Sequence, residues 1–251
     1  MPEGAQSRIL ARLSLEQIPK GCMFLFQGPS GSGKTVMTDN LLAEHLVKGL
    51  NAVKLTVTRS LENIRESLGQ LGWLGSEQLF IIDGYSWLTG EGVSESKYSL
   101  SGLSNLSDIS IMVSKLLSVV GENSLFIFDH VSTLLSYNEE NQVVKLLQTL
   151  AARLREAHDW AIIIFESDIH NQSFYNTVRF LMDCVVDFRI EEIEGSLYRS
   201  VRIHRARFPY SDTRWHPVEI ATNGKIIIQP SIITLDKDRL PTLRKKVEDE
   251  S

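Results

Sequence analysis

Gly28-Pro29-Ser30-Gly31-Ser32-Gly33-Lys34-Thr35 fits the pattern G-x-x-x-x-G-K-[ST] throughout, and Val36 continues it into an amphipathic segment. Each residue type answers a need. Glycines let backbone amides turn inward and cradle phosphate oxygens. A helix beginning at the lysine points its positive end at the anion. Lys34 offers a point charge to β- and γ-phosphates, and the Thr35 hydroxyl is a Mg²⁺ ligand. The spacing implies a socket for a nucleoside triphosphate with Mg²⁺, built from residues 28–36. A chance match in a turn is the competing reading. It is weakened because an apolar run leads in and a helical pattern leads out.

A metal held by Thr35 needs a carboxylate as well. Asp83 and Asp129 both end apolar runs, and either also reads as a turn or helix-cap aspartate. His130-Val131-Ser132 follows Asp129 and adds a hydroxyl to that junction. His45, His158 and His204 are scattered and form no metal-ligand spacing, and no Ser–His–Asp or Cys–His arrangement is persuasive.

The elements that must position these groups follow from periodicity. Residues 23–27, 52–57, 79–83, 125–129 and 161–166 are short apolar runs that predict buried strands. Helical spacing intervenes after Lys34, at Leu61, Ile64, Leu68 and Leu71, and from Ile109 to Val120 with Ser107 as the expected N-cap. It recurs from Val143 to Leu154 and over 172–182. The polar stretch 84–105 predicts a loop or lid. Beyond residue 184 the pattern changes. Strands at 184–190, 196–206, 216–220 and 225–229 are separated by turns such as Glu194-Gly195-Ser196 and Asn223-Gly224, with no helices between them. Strand–helix alternation followed by hairpins predicts an α/β fold, a core parallel sheet with a C-terminal antiparallel extension.

Composition sets the frame. A chain of 251 residues can bury a core without staples, and its two cysteines, Cys22 and Cys184, read as buried free thiols. Net charge is −5 with a pI of about 5.7, which does not attract nucleic acid. No apolar run reaches the length of a membrane span, and residues 1–14 lack the apolar stretch of a leader. The expected setting is cytoplasmic.

With these residues placed, the chain resembles the KaiC-like branch of the RecA superfamily of P-loop ATPases over about residues 17–230. Carriers of the resemblance are Ile18-Pro19-Lys20-Gly21 before the first strand, Gly72-Trp73 after the second helix, and Phe80–Asp83. Leu125–Ser132 occupies the place of the family's Walker B strand, so the resemblance selects Asp129 for the metal. Arg205-Ala206-Arg207 falls where the family has a Lys-x-Arg pair, ahead of a His-Pro strand and an Asn-Gly hairpin. The resemblance implies a RecA-like domain over 17–232, with an N-terminal arm at 1–16 and a charged tail at 233–251. It also implies a ring, usually a hexamer, in which Arg205 and Arg207 reach a neighbour's γ-phosphate. A solvated strand face is the plainer reading of Arg199, Arg202, Arg205 and Arg207. A nucleic-acid stripe, as in a DNA-repair recombinase paralogue, is the other functional one. Net acidity and the lack of an aromatic-interleaved basic loop weigh against that last reading.

Two departures stand out. The family's glycine pair before the Ile-Pro turn is absent. Hydrolysing members carry adjacent glutamates after the second strand, where this chain has Thr58 and Arg59. Glu62 and Glu166 are the substitute candidates for positioning water, with Ser167 and Asp168 as phosphate sensors. The expectation is a regulatory ATP-binding protein of weak or absent hydrolysis, acting through nucleotide-dependent oligomerisation or recruitment of a protein partner. A kinase using the same socket is the remaining reading.

Overall fold

Apolar runs with few polar interruptions suit strands covered on both faces, and the chain uses them so. The computed structural model describes residues 7–75, 77–89, 96–157, 160–167, 169–208 and 212–231. Ten strands form one sheet: β1 (Met23–Gly28), β2 (Ala52–Thr56), β3 (Leu79–Asp83), β4 (Tyr98–Ser99), β5 (Leu125–Asp129), β6 (Trp160–Glu166), β7 (Cys184–Ile193), β8 (Ser196–Ala206), β9 (His216–Ile220) and β10 (Ile226–Ile228). Their order is β10-β9-β8-β7-β1-β6-β5-β2-β3-β4. Pairings from β7 to β4 are parallel, and those from β7 out to β10 are antiparallel. The predicted architecture is therefore the observed one.

Among the described residues six α-helices cover the sheet: α1 (Arg8–Ala11), α2 (Lys34–Val47), α3 (Leu61–Gln70), α4 (Leu106–Val120), α5 (Glu140–Glu156) and α6 (Gln172–Leu181). Leucines and isoleucines of α1, α2 and α3 pack on one face, and those of α4, α5 and α6 on the other. Both predicted hairpins are present. Glu194 and Gly195 adopt φ of 53° and 76°, the left-handed pair that matches strand twist in a two-residue turn.

Three local details differ from expectation. Asn105, not Ser107, caps α4: its side chain accepts from the Ser107 amide at 3.2 Å. The 84–105 stretch is not loop throughout, because Tyr98–Ser99 pairs with β3 at the sheet edge and Ser86–Thr89 forms a 3₁₀ turn. The described part of the N-terminal arm carries α1, whose Leu10, together with Leu13 and Leu15, is buried in the core beside β1. Ser7 caps α1 and also donates to Glu44 on α2 at 2.8 Å, so this segment is pinned to the helix that follows the phosphate loop. Asp168, His158 and the tail at 233–251 lie outside the described residues.

Candidate nucleotide site

The loop between β1 and α2 is shaped by its glycines. A Cβ at Gly28 would run into the carbonyl of Phe188 on β7 and stand 2.8 Å from its Cβ. Gly33, at φ 98°, turns the chain into α2 with no side-chain cap. The first amides of α2 are thereby left to face an anion. The pocket here has a volume of about 220 Å³ and is lined by residues 30–36 with His130, Glu166, Arg199 and Ile220.

Lys34 is buried and folded back into its own loop. Its Nζ donates to the carbonyls of Gly28 at 2.8 Å and Pro29 at 2.7 Å, and pairs with Glu166 Oε2 at 3.1 Å. Burial pushes its pKa down, against the pull of Glu166 and Asp129. Glu166 feels the opposite balance. Burial would raise its pKa, but the hydrogen bond from His130 and the charge of Lys34 hold it below the usual carboxylate range. Ser132 accepts the Glu166 amide at 3.0 Å, and the Tyr175 hydroxyl donates to the Glu166 carbonyl at 2.8 Å, which fixes the end of β6.

The two metal candidates separate clearly. Asp83 is spent on local capping: Oδ1 accepts the amides of Tyr85 and Ser86, and Oδ2 accepts the Ser86 hydroxyl at 2.6 Å. Asp129 is fully buried and neither oxygen accepts a hydrogen bond. Its neighbours are the Lys54 ammonium, Nζ at 3.5 Å, and the His130 imidazole, Nε2 at 3.3 Å. A buried carboxylate without hydrogen bonds is costly unless a positive charge faces it. Thr35 Oγ1 lies 3.2 Å from His130 Nε2, so hydroxyl, imidazole and carboxylate converge beside the phosphate loop. That donor set fits a divalent cation, which Thr35 and Asp129 would hold.

Other sequence candidates fall elsewhere. Glu62 is exposed in the first turn of α3. Thr58 is exposed, and Arg59 turns inward to pair with Asp39. The arginines of β8 go to separate destinations. Arg199 reaches the phosphate loop, donating to the Gly31 carbonyl at 2.9 Å. Arg202 pairs with Asp187 at 3.0 Å. Arg205 donates to the carbonyls of Arg179 and Met182, and Arg207 to that of Phe180 and to Asp183, all at the C-terminal end of α6. Ala206, between them, pairs with Cys184, which pairs with Phe24 near the start of β1. Arg205 and Arg207 therefore sit at the opposite end of the sheet from their own phosphate loop.

Two contributors escaped the sequence reading. Arg199 shares strand parity with the buried Val201 and Ile203, which signals a sheet face but not a destination. Lys54, inside the apolar run of β2, is fully buried and pairs with Asp39 on α2 at 2.9 Å. A lysine in such a run was the available signal.

A family model described as the KaiC ATPase matches residues 9–232. The chain belongs to that family. Relatives extend the likeness at low identity. A UPF0273 protein of Pyrobaculum aerophilum is 22% identical over 249 residues, covering 92% of this chain and 88% of the relative. A UPF0273 protein of Saccharolobus solfataricus is 23% identical with the same coverage. The crystal structure of a KaiC-like protein from Pyrococcus horikoshii superimposes with a TM-score of 0.69 at 17% identity, over 86% of this chain and 92% of that one. Among the described residues no helix is long and apolar enough to cross a membrane.

Proposed function

We propose that this KaiC-family protein binds ATP with a divalent cation and turns it over slowly or not at all, so that its output is the assembly state the filled site favours. The observation that carries this reading is the end of β2. Thr58 and Arg59 stand where hydrolysing members present adjacent glutamates, and Arg59 is bound to Asp39. Glu166 is the carboxylate left against the phosphate loop. Its lowered pKa, set by His130 and Lys34 against burial, makes it a weak base. A missing general base costs roughly 10²–10⁴-fold in rate.

Binding needs none of that. Incoming phosphates would draw Lys34 off the Gly28 and Pro29 carbonyls, while the amides of residues 31–35 receive phosphate oxygens and Arg199 closes over the loop. A cation held by Thr35 and Asp129 would neutralise charge between β- and γ-phosphates. Arg205 and Arg207, remote from their own loop, would act in trans on a neighbouring subunit's nucleotide. Reaching across would cost them their carbonyls on α6. A nucleotide present at 100 times its dissociation constant for the assembled form favours that form by about 2.7 kcal/mol.

Light scattering and phosphate release, followed in the same samples of wild type and Lys34→Ala with and without ATP, test the proposal. The expected outcome is an ATP-dependent rise in mass for wild type alone, with turnover at least about 100-fold below 1 s⁻¹. An unchanged monomer, or turnover above about 1 s⁻¹, contradicts it.

A further inference from the structure

His130 occupies an unusual place. It follows Asp129 directly, and its backbone is left-handed at φ 65°, a conformation that costs a non-glycine residue about 1 kcal/mol or more. Residues kept in that region need a compensating role or a surrounding that dictates it. The imidazole so placed has Nε2 at 3.2 Å from Thr35 Oγ1 and 3.3 Å from Asp129 Oδ1, between the two groups that would hold the nucleotide's cation. Its other nitrogen, Nδ1, lies 3.3 Å from Glu166 Oε1. A carboxylate beside one ring nitrogen is the arrangement that orients histidines bound to metals through the other. That nitrogen, Nε2, faces an Asp129 oxygen that accepts no hydrogen bond.

We propose that His130 is a direct ligand of the nucleotide's metal, and that the site therefore selects Mn²⁺ or Co²⁺ over Mg²⁺. The inference rests on the reading of the β1–α2 loop as a nucleotide socket. Mg²⁺ demands oxygen ligands and near-ideal octahedral geometry, and it gives up water reluctantly. Imidazole suits first-row transition ions, whose affinity for nitrogen sites exceeds that of harder cations. Among the described residues no group of three or more His, Cys, Asp and Glu stands ready to hold a metal. Here one imidazole and one carboxylate are completed by the Thr35 hydroxyl and by phosphate oxygens, so the site forms only with nucleotide. Glu166 becomes the positioning residue behind His130.

The test uses the whole protein and a non-hydrolysable ATP analogue. Its dissociation constant is measured with Mg²⁺, Mn²⁺, Co²⁺ or EDTA, for wild type and His130→Ser. Wild type is expected to bind at least about tenfold more tightly with Mn²⁺ or Co²⁺ than with Mg²⁺, and the ratio should fall toward one in His130→Ser. Pulsed electron paramagnetic resonance of wild type with Mn²⁺ and the analogue should show coupling to an imidazole ¹⁴N. This readout does not depend on the variant folding. Equal affinities with Mg²⁺ and Mn²⁺, or no ¹⁴N coupling, overturn the proposal while leaving the socket intact. Absence of analogue binding under every condition overturns the socket and the metal assignment together.

Discussion

His45 shows how one buried side chain ties stability to pH. It lies on α2, 4% exposed, with Nε2 2.9 Å from the Asn51 carbonyl and its ring edge-on to Trp160. Burial pushes its pKa down to about 4, against the pull of that carbonyl. In the unfolded chain a histidine titrates near 6.5. Between those values the unfolded state binds a proton that the folded state refuses. The stabilisation is complete above about pH 6.5 and drains away as pH falls toward 4. At pH 5 the loss attributable to His45 is about 2 kcal/mol. Urea unfolding at pH 7.5 and pH 5 should show wild type losing about that much more than His45→Gln, which keeps a donor for Asn51 without titrating in this range. Parallel losses in the two proteins would contradict the assignment. The cysteines behave as the sequence suggests. Cys22 and Cys184 are free and buried, and burial pushes the Cys184 thiol up to about 12, so neither is a nucleophile at neutral pH.

At the scale of elements, a buried charge cluster joins four of them. Lys54 on β2 contacts Asp39 on α2 and Asp129 on β5, and Asp39 also accepts from Arg59 and from Ser67 on α3. Burial alone would neutralise Lys54, but the two carboxylates more than offset it and hold its pKa above the ordinary value. Removing one partner of such a group strands the others. Lys54→Met should therefore destabilise the fold by about 3–5 kcal/mol in urea unfolding. A loss below about 1 kcal/mol would mean that the cluster contributes no cohesion. This cluster also explains what the sequence could not disclose. The strands, the helices on either side and the phosphate loop are legible because each is encoded by neighbours a few residues apart. Asp39 and Lys54 are partners only once α2 lies across β2. Arg199 reaches Gly31 only because β8 lies two strands from β1. His130 aims at Thr35 only through a left-handed backbone, which no local pattern demands of a histidine. Asp129 prevailed over Asp83 on likeness to a family, since both end apolar strands. In the structure the two differ in their bonding, Asp129 accepting no hydrogen bond and Asp83 taken up by its own turn.

On the scale of the whole molecule, the sheet separates two kinds of machinery. At the C-terminal ends of β1, β5 and β6 stand Lys34, Asp129 and Glu166, and at the opposite end of β8 stand Arg205 and Arg207, holding the end of α6. The phosphate loop thus lies at one end of the sheet and these two cations at the other, the layout on which the proposed action between copies rests. All of that depends on the socket accepting a nucleotide. Calorimetric titration of a non-hydrolysable ATP analogue, with Mn²⁺ present, into wild type and Lys34→Ala measures this directly. The account predicts saturable one-to-one binding by wild type, with a dissociation constant on the order of micromolar, equivalent to about −8 kcal/mol, and at least about tenfold weaker binding by Lys34→Ala. No binding heat with wild type, or equal affinity in a folded Lys34→Ala, would contradict it.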